Sequence, residues 1–283
     1  MQLHQFDKIE EFWHCAGAYL LRHEAENSVL LGVAHTLLHN PARYPHPPYL
    51  AVIEANGDIL AVALRTPPYK LLLSKAKNLD ALTLVAQDLQ DREQLPGVMG
   101  LVPEVETFLQ PWQKLTGQSY QREVAMGIHQ LAAVQSFATA NGHLRLATER
   151  DRPLLLEWVP AFTTEIGMVV NEDAEHVVDS QLKAQHIYLW EDNAPVSLAT
   201  GRQVSPTVGR IGQVYTPPEY RRKGYATASV AALSQKLLDE GCNCCFLLTN
   251  LANPTSNHIY REIGYSPVCD WHEYSFCSHE HPL

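Results

Sequence analysis

One stretch, residues 213–241, constrains the fold more than any other: QVYTPPEYRRKGYATASVAALSQKLLDEG. It opens with strand-forming residues, Gln213, Val214 and Tyr215. Pro217 and Pro218 then remove two backbone donors, so the strand ends there. A basic turn follows, Arg221, Arg222, Lys223 and Gly224, and then a segment with no Gly or Pro until Gly241. Val230, Leu233, Leu237 and Leu238 recur in it at helical spacing and predict one buried stripe. Gly241 falls where a C-terminal cap is expected. The chemistry of a strand, a basic turn and a helix start is anion binding. First-turn N–H groups have no intrahelical partner, and the helix dipole places partial positive charge on them. Gly224 lets the backbone approach an oxygen-rich ligand without a Cβ in the way, and Ala226 keeps the next position small.

A second stretch, 253–265, reads NPTSNHIYREIGY. Asn253 is placed to cap a helix, and Tyr260 reads as a core aromatic with its hydroxyl at the rim. Together the two stretches resemble the GNAT superfamily of N-acetyltransferases. Arg221, Gly224 and Ala226 meet the pattern Arg/Gln-x-x-Gly-x-Gly/Ala. Asn253, Ser256, Ile259, Tyr260, Gly264 and Tyr265 meet Asn-x-x-Ala-x-x-Leu-Tyr-x-x-x-Gly-Phe, with Ser256, Ile259 and Tyr265 as conservative departures. The resemblance covers roughly the C-terminal half. It implies that the turn from Arg221 through Arg222, Lys223, Gly224, Tyr225 and Ala226 to Thr227 holds the pyrophosphate of acetyl-CoA. It also implies that Val214, Tyr215 and Thr216 offer free backbone groups to the pantetheine arm. Asn253, with Ser256 and Asn257, would contact the cofactor, and Tyr260 would protonate the departing thiolate.

At 283 residues the chain exceeds one typical domain and predicts two. Hydrophobic content of 46% with 18% charged residues is that of a soluble globular protein. A net charge of -10 argues against nucleic acid or an anionic membrane as the main partner. No apolar run is long enough to span a bilayer, and MQLHQFDKIEEF has no secretory pattern. Six cysteines, three of them in CNCCFLLTN, suit reduced thiols in a cytoplasm better than a disulfide framework. No metal site is expected. Cys242, Cys244 and Cys245 lack a second cysteine pair, and His35 and His39, four apart, lack a third ligand.

Along the chain, helices are expected at 6–26 and 27–39, and a proline-rich loop follows. Residues 49–66 form the clearest hairpin, around Asn56 and Gly57. A strand in YKLLLS, a helix at 78–92, a strand at 97–102, a helix at 103–115 and a strand from 119 complete the N-terminal half. In the C-terminal half Asp151 is expected to cap a helix that Pro160 kinks or ends, and 172–185 reads as a second helix. A hairpin then turns across Glu191, Asp192, Asn193 and Ala194. Residues 268–276 alternate as a closing strand, and His279, Glu280 and His281 read as a loose tail. Setting IEANGDILAVA over WEDNAPVSLAT aligns Glu54 with Glu191 and Asn56 with Asn193 with the apolar positions in phase.

The resulting fold class is α/β (α+β): two GNAT-like domains, each a mixed, mostly antiparallel sheet flanked by helices. The expected division is a degenerate domain at 1–134, a linker at 135–142 and a catalytic domain at 143–283. The N-terminal half has Leu73, Ser74, Lys75, Ala76, Lys77 and Asn78 where the glycine motif would stand. On this reading it shapes or covers the acceptor site. The expected activity is acetyl-CoA-dependent N-acetyltransfer to a primary amine, most simply a small molecule, by a monomer or homodimer. The general base is not legible: Glu165 lies near a loop this family uses for substrate contacts, and it reads equally as a solvated helix-end carboxylate. A non-catalytic acyl-CoA-binding module is the alternative. Nucleotide binding is disfavoured by the absence of Gly-x-x-x-x-Gly-Lys-Ser/Thr and Gly-x-Gly-x-x-Gly patterns.

Overall fold

The computed structural model describes residues 1–92, 95–135, 140–167 and 173–277. Four of the residues expected in the linker (136–139), Glu172, and His279, Glu280 and His281 lie outside the described residues. By its contacts the chain forms two units. The first is Met1–Ile128 with Asn250–Ala252 and Val268–Leu283; the second is His129–Thr249 with Asn253–Pro267.

In chain order the first run of elements is β1 (Gln2–Gln5), α1 (Ile9–Leu21), α2 (Ser28–His39), β2 (Tyr49–Ala55), β3 (Asp58–Arg65), β4 (Leu71–Leu73), α3 (Leu82–Leu89), β5 (Gly97–Leu101), α4 (Val102–Thr116) and β6 (Ser119–Leu131). The second is β7 (His143–Leu146), α5 (Arg152–Glu165), α6 (Ala174–Lys183), β8 (Ile187–Asp192), β9 (Ala194–Ser205), β10 (Val208–Tyr215), α7 (Tyr225–Asp239), β11 (Cys244–Asn250), α8 (Pro254–Ile263) and β12 (Ser266–Cys277). Both runs read strand, two helices, three strands, helix, strand, helix, strand. The repeat seen in the two hairpins extends to the whole element order. Each hairpin also shifts register at the aligned position, between Ile53 and Glu54 in one and between Trp190 and Glu191 in the other. Asn56 and Gly57, with φ of 54° and 80°, make the turn of the first, and Asn193, at φ 60°, the turn of the second. Asn and Gly are the residues that adopt such angles at least cost.

The first unit pairs β1, β2, β3 and β4 antiparallel in sequence order, and β4 then runs parallel to β5. In the second unit β7, β8, β9 and β10 are antiparallel and β10 runs parallel to β11. Strands buried on both faces read as continuous apolar runs, and Ala61, Val62, Ala63 and Leu64 of β3 are all fully buried. Ala63, Leu71, Leu73, Val85, Val98, Phe108 and Trp112 form the core under α3 and α4. In the second unit the two faces separate with period two. Tyr188, Ala199 and Ile211 join Val230, Leu233 and Leu237 of α7, whereas Leu189, Leu198 and Tyr215 join Leu155, Trp158 and Val178 of α5 and α6.

Several expectations are corrected. The final strand was read as closing the C-terminal half, 143–283, but β12 pairs Trp271–Ser275 against β5, and its residues from Val268 belong to the first unit. Period-two alternation specifies a strand and one buried face; it does not name the partner. Two contacts do. Phe276 stacks on Trp112 at 5.5 Å, and a Cβ on Gly97 would stand 2.0 Å from the Tyr274 carbonyl oxygen. Pro160 neither ends nor replaces a turn of α5, which continues to Glu165; one lost amide donor is tolerated where the helix is packed by Trp158 and Val159. Asp151 stands at the N-cap position of α5 as expected, but its side chain makes no capping bond there; it is the third residue of a capping box whose cap is Thr148, and its carboxylate accepts from the Thr148 amide at 2.8 Å. β1 was not foreseen in a stretch of mixed polarity. β10 starts at Val208, five residues before the expected strand.

Candidate active site

The site is built from β10, the turn after it and the start of α7. Pairing of β10 with β11 extends only over Val208–Arg210. Beyond that point β10 pairs with β9 alone, and the register shifts between Gly212 and Tyr215. Gln213 sits at φ 43° in this bulge, and its side-chain oxygen accepts from Gln181 at 2.8 Å. A non-glycine residue held at positive φ by its surroundings marks a constrained position of the kind that clusters at functional sites. The bulge and the end of the parallel ladder leave Val214, half-buried, with no strand partner toward β11 among the described residues. The Tyr215 ring points away from that edge and packs on Trp158 at 6.2 Å. Its carbonyl accepts from Ser197 Oγ, which also lies 2.8 Å from Thr216 Oγ1.

Pro217 and Pro218 lead into a short 3-10 turn, Pro218–Tyr220. Arg222 then takes φ 62° and Gly224 φ 81°. Gly224 is the N-cap of α7, and no side chain caps that helix. The first closed bond runs from the Ala228 amide to the Gly224 carbonyl at 3.0 Å, so the amides before it are the unsatisfied ones. Around this helix start stand Arg222 and Lys223, both exposed, with the Lys223 ammonium 5.7 Å from the Tyr220 ring centre. Arg221 has another task in this structure. It donates to the Thr216 carbonyl at 2.9 Å and to Glu165 at 2.6 Å. Tyr225 donates to Asp192 at 2.5 Å, which ties the helix start to the β8–β9 hairpin. Ala226 is half-buried and Thr227 buried.

The second motif folds as its spacing predicts. Asn253 caps α8 by accepting from the Ser256 amide at 3.1 Å. Asn257 accepts from Thr249 Oγ1 at 3.0 Å and fastens the helix to the end of β11. Tyr260 is 8% exposed, and its ring meets Tyr265 edge-on at 6.0 Å. Its hydroxyl has no hydrogen-bond partner among the described residues. Burial pushes that hydroxyl up to about 12, so it keeps its proton through the neutral range. The ion pair of Glu165, the role of Asp192, and the Gln181 and Ser197 contacts had no sequence signal. Each comes from an element distant in sequence.

The first unit has the same strand geometry, with β4 parallel to β5 over Leu71 and Leu72 only, but its edge is closed by its own side chains. The Lys75 amide donates to Asn27 Oδ1 at 2.8 Å and the Ala76 amide to Glu104 Oε1 at 2.9 Å. Asn78 caps the following turn by accepting from the Asp80 amide. No glycine stands there, and Asn78 caps the 3-10 turn that leads into α3, although α3 itself has no side-chain cap. A cavity of about 640 Å³ in the second unit lies elsewhere. It is lined by Arg145, His186, Lys236 and Glu240 at the C-terminal end of α7, roughly 20 Å along that helix from Gly224.

An uncapped helix start after a glycine turn presents free amides of the kind that bind anionic groups such as phosphate. Residues 153–265 match the family model described as acetyltransferase (GNAT) family, a family that uses acetyl-CoA as cosubstrate. The fold is similar over nearly the whole chain to a GNAT-family acetyltransferase from Colwellia psychrerythraea (10% identity, 98% of this chain and 100% of that one, TM-score 0.62). It is also similar to a Drosophila protein (10% identity, 97% and 98%, TM-score 0.67). A third similar structure is a tandem GNAT protein from the clavulanic acid biosynthesis pathway (11% identity, 98% of both chains, TM-score 0.58). At these identities the likeness is one of fold. A comparison with curated proteins gave no match.

Proposed function

We propose that the second unit transfers the acetyl group of acetyl-CoA to a primary amine by direct attack on the thioester. The observation that carries this is the coincidence, within 213–227, of a strand edge with no partner toward β11 among the described residues and a helix start without a cap. The chain's residues fit the cofactor. The amides of Gly224, Tyr225, Ala226 and Thr227, with Arg222 and Lys223, suit a pyrophosphate. Val214, Tyr215 and Thr216 would offer backbone groups to the pantetheine amides, and Asn253, Ser256 and Asn257 would line the opposite side. Arg221 would hold the turn in shape from beneath.

Attack by the neutral amine forms the C–N bond and breaks the C–S bond. The charge that gathers on the carbonyl oxygen needs a donor, and one backbone N–H of the β10 edge would contribute about 3 kcal/mol, as single oxyanion donors do elsewhere. Tyr260 would give its proton to the leaving sulfur and recover one from solvent. Glu165 is engaged by Arg221 and is not assigned as the base; water takes the ammonium proton. An acidic chain steers cationic acceptors toward itself, and we infer a small-molecule amine. Among the described residues the cysteines form no disulfide, which suits a reducing cytoplasm.

The test is a panel of amines incubated with acetyl-CoA and assayed for thiol release. Release that requires both an amine and the intact chain supports the reading. Tight acetyl-CoA binding with no release toward any amine would instead make the chain a binding module.

A further inference from the structure

Gln181 of α6 places a polar group on an apolar face. Val178 and Leu182 of that helix join the core that contains Tyr215 of β10. Gln181 stands beside them at helical spacing, so an amide interrupts the apolar stripe. Its Nε2 donates to Gln213 Oε1 at 2.8 Å. Its own Oε1 is buried without a hydrogen-bond partner among the described residues, a penalty that an apolar side chain of the same size would not carry.

The residue it holds is strained. β10 advances from Gly212 to Tyr215 while β9 moves only from Thr200 to Leu198, so β10 accommodates one extra residue. Gln213 takes φ 43° there, a left-handed conformation that glycine adopts freely and other residues at a cost. Glycine would relieve that strain; glutamine keeps a side chain that α6 can hold. The bulge also turns the strand over. Ile211 packs with Val230, Leu233 and Leu237 of α7, whereas Tyr215 packs on Trp158 at the opposite face. In a regular strand positions 211 and 215 would share one face. Val214 packs on the α7 side, against the cluster that contains Tyr260. If Gln213 relaxed to an extended conformation, the side chains would exchange faces. The bond to Gln181 would break, and Val214 would turn away from Tyr260.

We propose that Gln181 is a positioning residue for the transfer: its bond to Gln213 holds the β10 bulge and so aims the backbone of Val214 at the pantetheine arm. This rests on the acetyl-CoA reading above. Without the bond the bulged conformation becomes less populated, and affinity for the arm falls with that population. The amides from Gly224 onward keep their hold on the diphosphate.

The test compares acetyl-CoA with 3′-phospho-ADP, which is coenzyme A without its pantetheine arm, each titrated calorimetrically into the full chain. Gln181→Met keeps an unbranched side chain with good helix propensity and removes both amide atoms. It should weaken acetyl-CoA about five-fold, which corresponds to about 1 kcal/mol, and 3′-phospho-ADP less than about two-fold. Made in a Gln213→Gly background, where φ 43° is unstrained, the same substitution should change acetyl-CoA affinity less than about two-fold. A merely structural role would weaken both ligands in both backgrounds. Should Gln181→Met fail to fold, Gln213→Ala breaks the same bond from a half-buried position and must give the same selective loss. An unchanged acetyl-CoA affinity, an equal loss of both ligands, or an effect that persists in Gln213→Gly overturns the proposal and leaves the acetyl-CoA reading standing. No binding of acetyl-CoA by the unaltered chain overturns both.

Discussion

A tyrosine hydroxyl in water loses its proton near pH 10. Tyr260, buried beside Tyr265, holds its proton to about 12, so it is protonated at neutral pH, as a donor to a leaving thiolate must be. Tyr260→Phe should therefore lower kcat about 100-fold while the KM for acetyl-CoA stays within about three-fold. In the unaltered enzyme no loss of kcat from this group should occur below about pH 10. A kcat that is the same in Tyr260→Phe at every pH would remove the assigned role. Asp151 carries the opposite shift. The Arg145 guanidinium, donating to both its oxygens at 2.8 Å, holds its carboxyl down at about 2 against an ordinary value of 3.8. The folded pKa lies below the unfolded one, so the stabilisation is present above pH 4 and fades as pH falls toward 2. Asp151→Asn should cost about 1–2 kcal/mol at pH 7, the full shift being discounted for partial solvent access. Urea denaturation should show that difference shrinking between pH 4 and pH 2.

At the scale of elements, the turn between β10 and α7 combines two kinds of information. The helix and its glycine were legible because their determinants are local: an apolar stripe at Val230, Leu233 and Leu237, a φ > 0 position at Gly224, a cap at Asn253. What holds the turn was not legible. Arg221 reads as a phosphate ligand by its place in the motif, yet in the structure it bridges the Thr216 carbonyl and Glu165. That contact joins residues 56 positions apart in sequence, and no periodicity encodes it. The bulge at Gln213 was hidden for the same reason, since it depends on Gln181 in α6. Exposed ion pairs add about 0.2–1 kcal/mol, so Arg221→Ala should leave stability nearly unchanged. If Arg221 keeps the turn in its binding shape, that substitution should nevertheless raise the KM for acetyl-CoA several-fold. Glu165→Gln, which leaves the bond to Thr216, should change it less than two-fold. Equal effects of the two substitutions on KM would mean that the ion pair itself shapes the turn.

At the scale of the molecule, one element order occurs twice, with different groups at the end of its fourth strand. The aligned hairpins announced the repetition because turn chemistry and apolar phase are written locally in Asn56, Gly57 and Asn193. The placement of β12 in the first unit was not announced, because partner choice among strands is a property of the folded sheet. The difference between the two was visible as a missing glycine. The structure supplies the rest: Asn27, Glu104 and Asn78 close in the first unit the groups that the second unit leaves open. The central claim is that a single open edge and a single glycine-capped helix start hold acetyl-CoA. Calorimetric titration of acetyl-CoA into the unaltered chain and into Gly224→Val tests it most directly. In Gly224→Val a branched side chain at φ 81° costs about 1–2 kcal/mol and fills the approach to the amides. The account predicts one site per chain, lost in a Gly224→Val protein that still unfolds cooperatively. Two sites per chain, or undiminished binding by Gly224→Val, would contradict it.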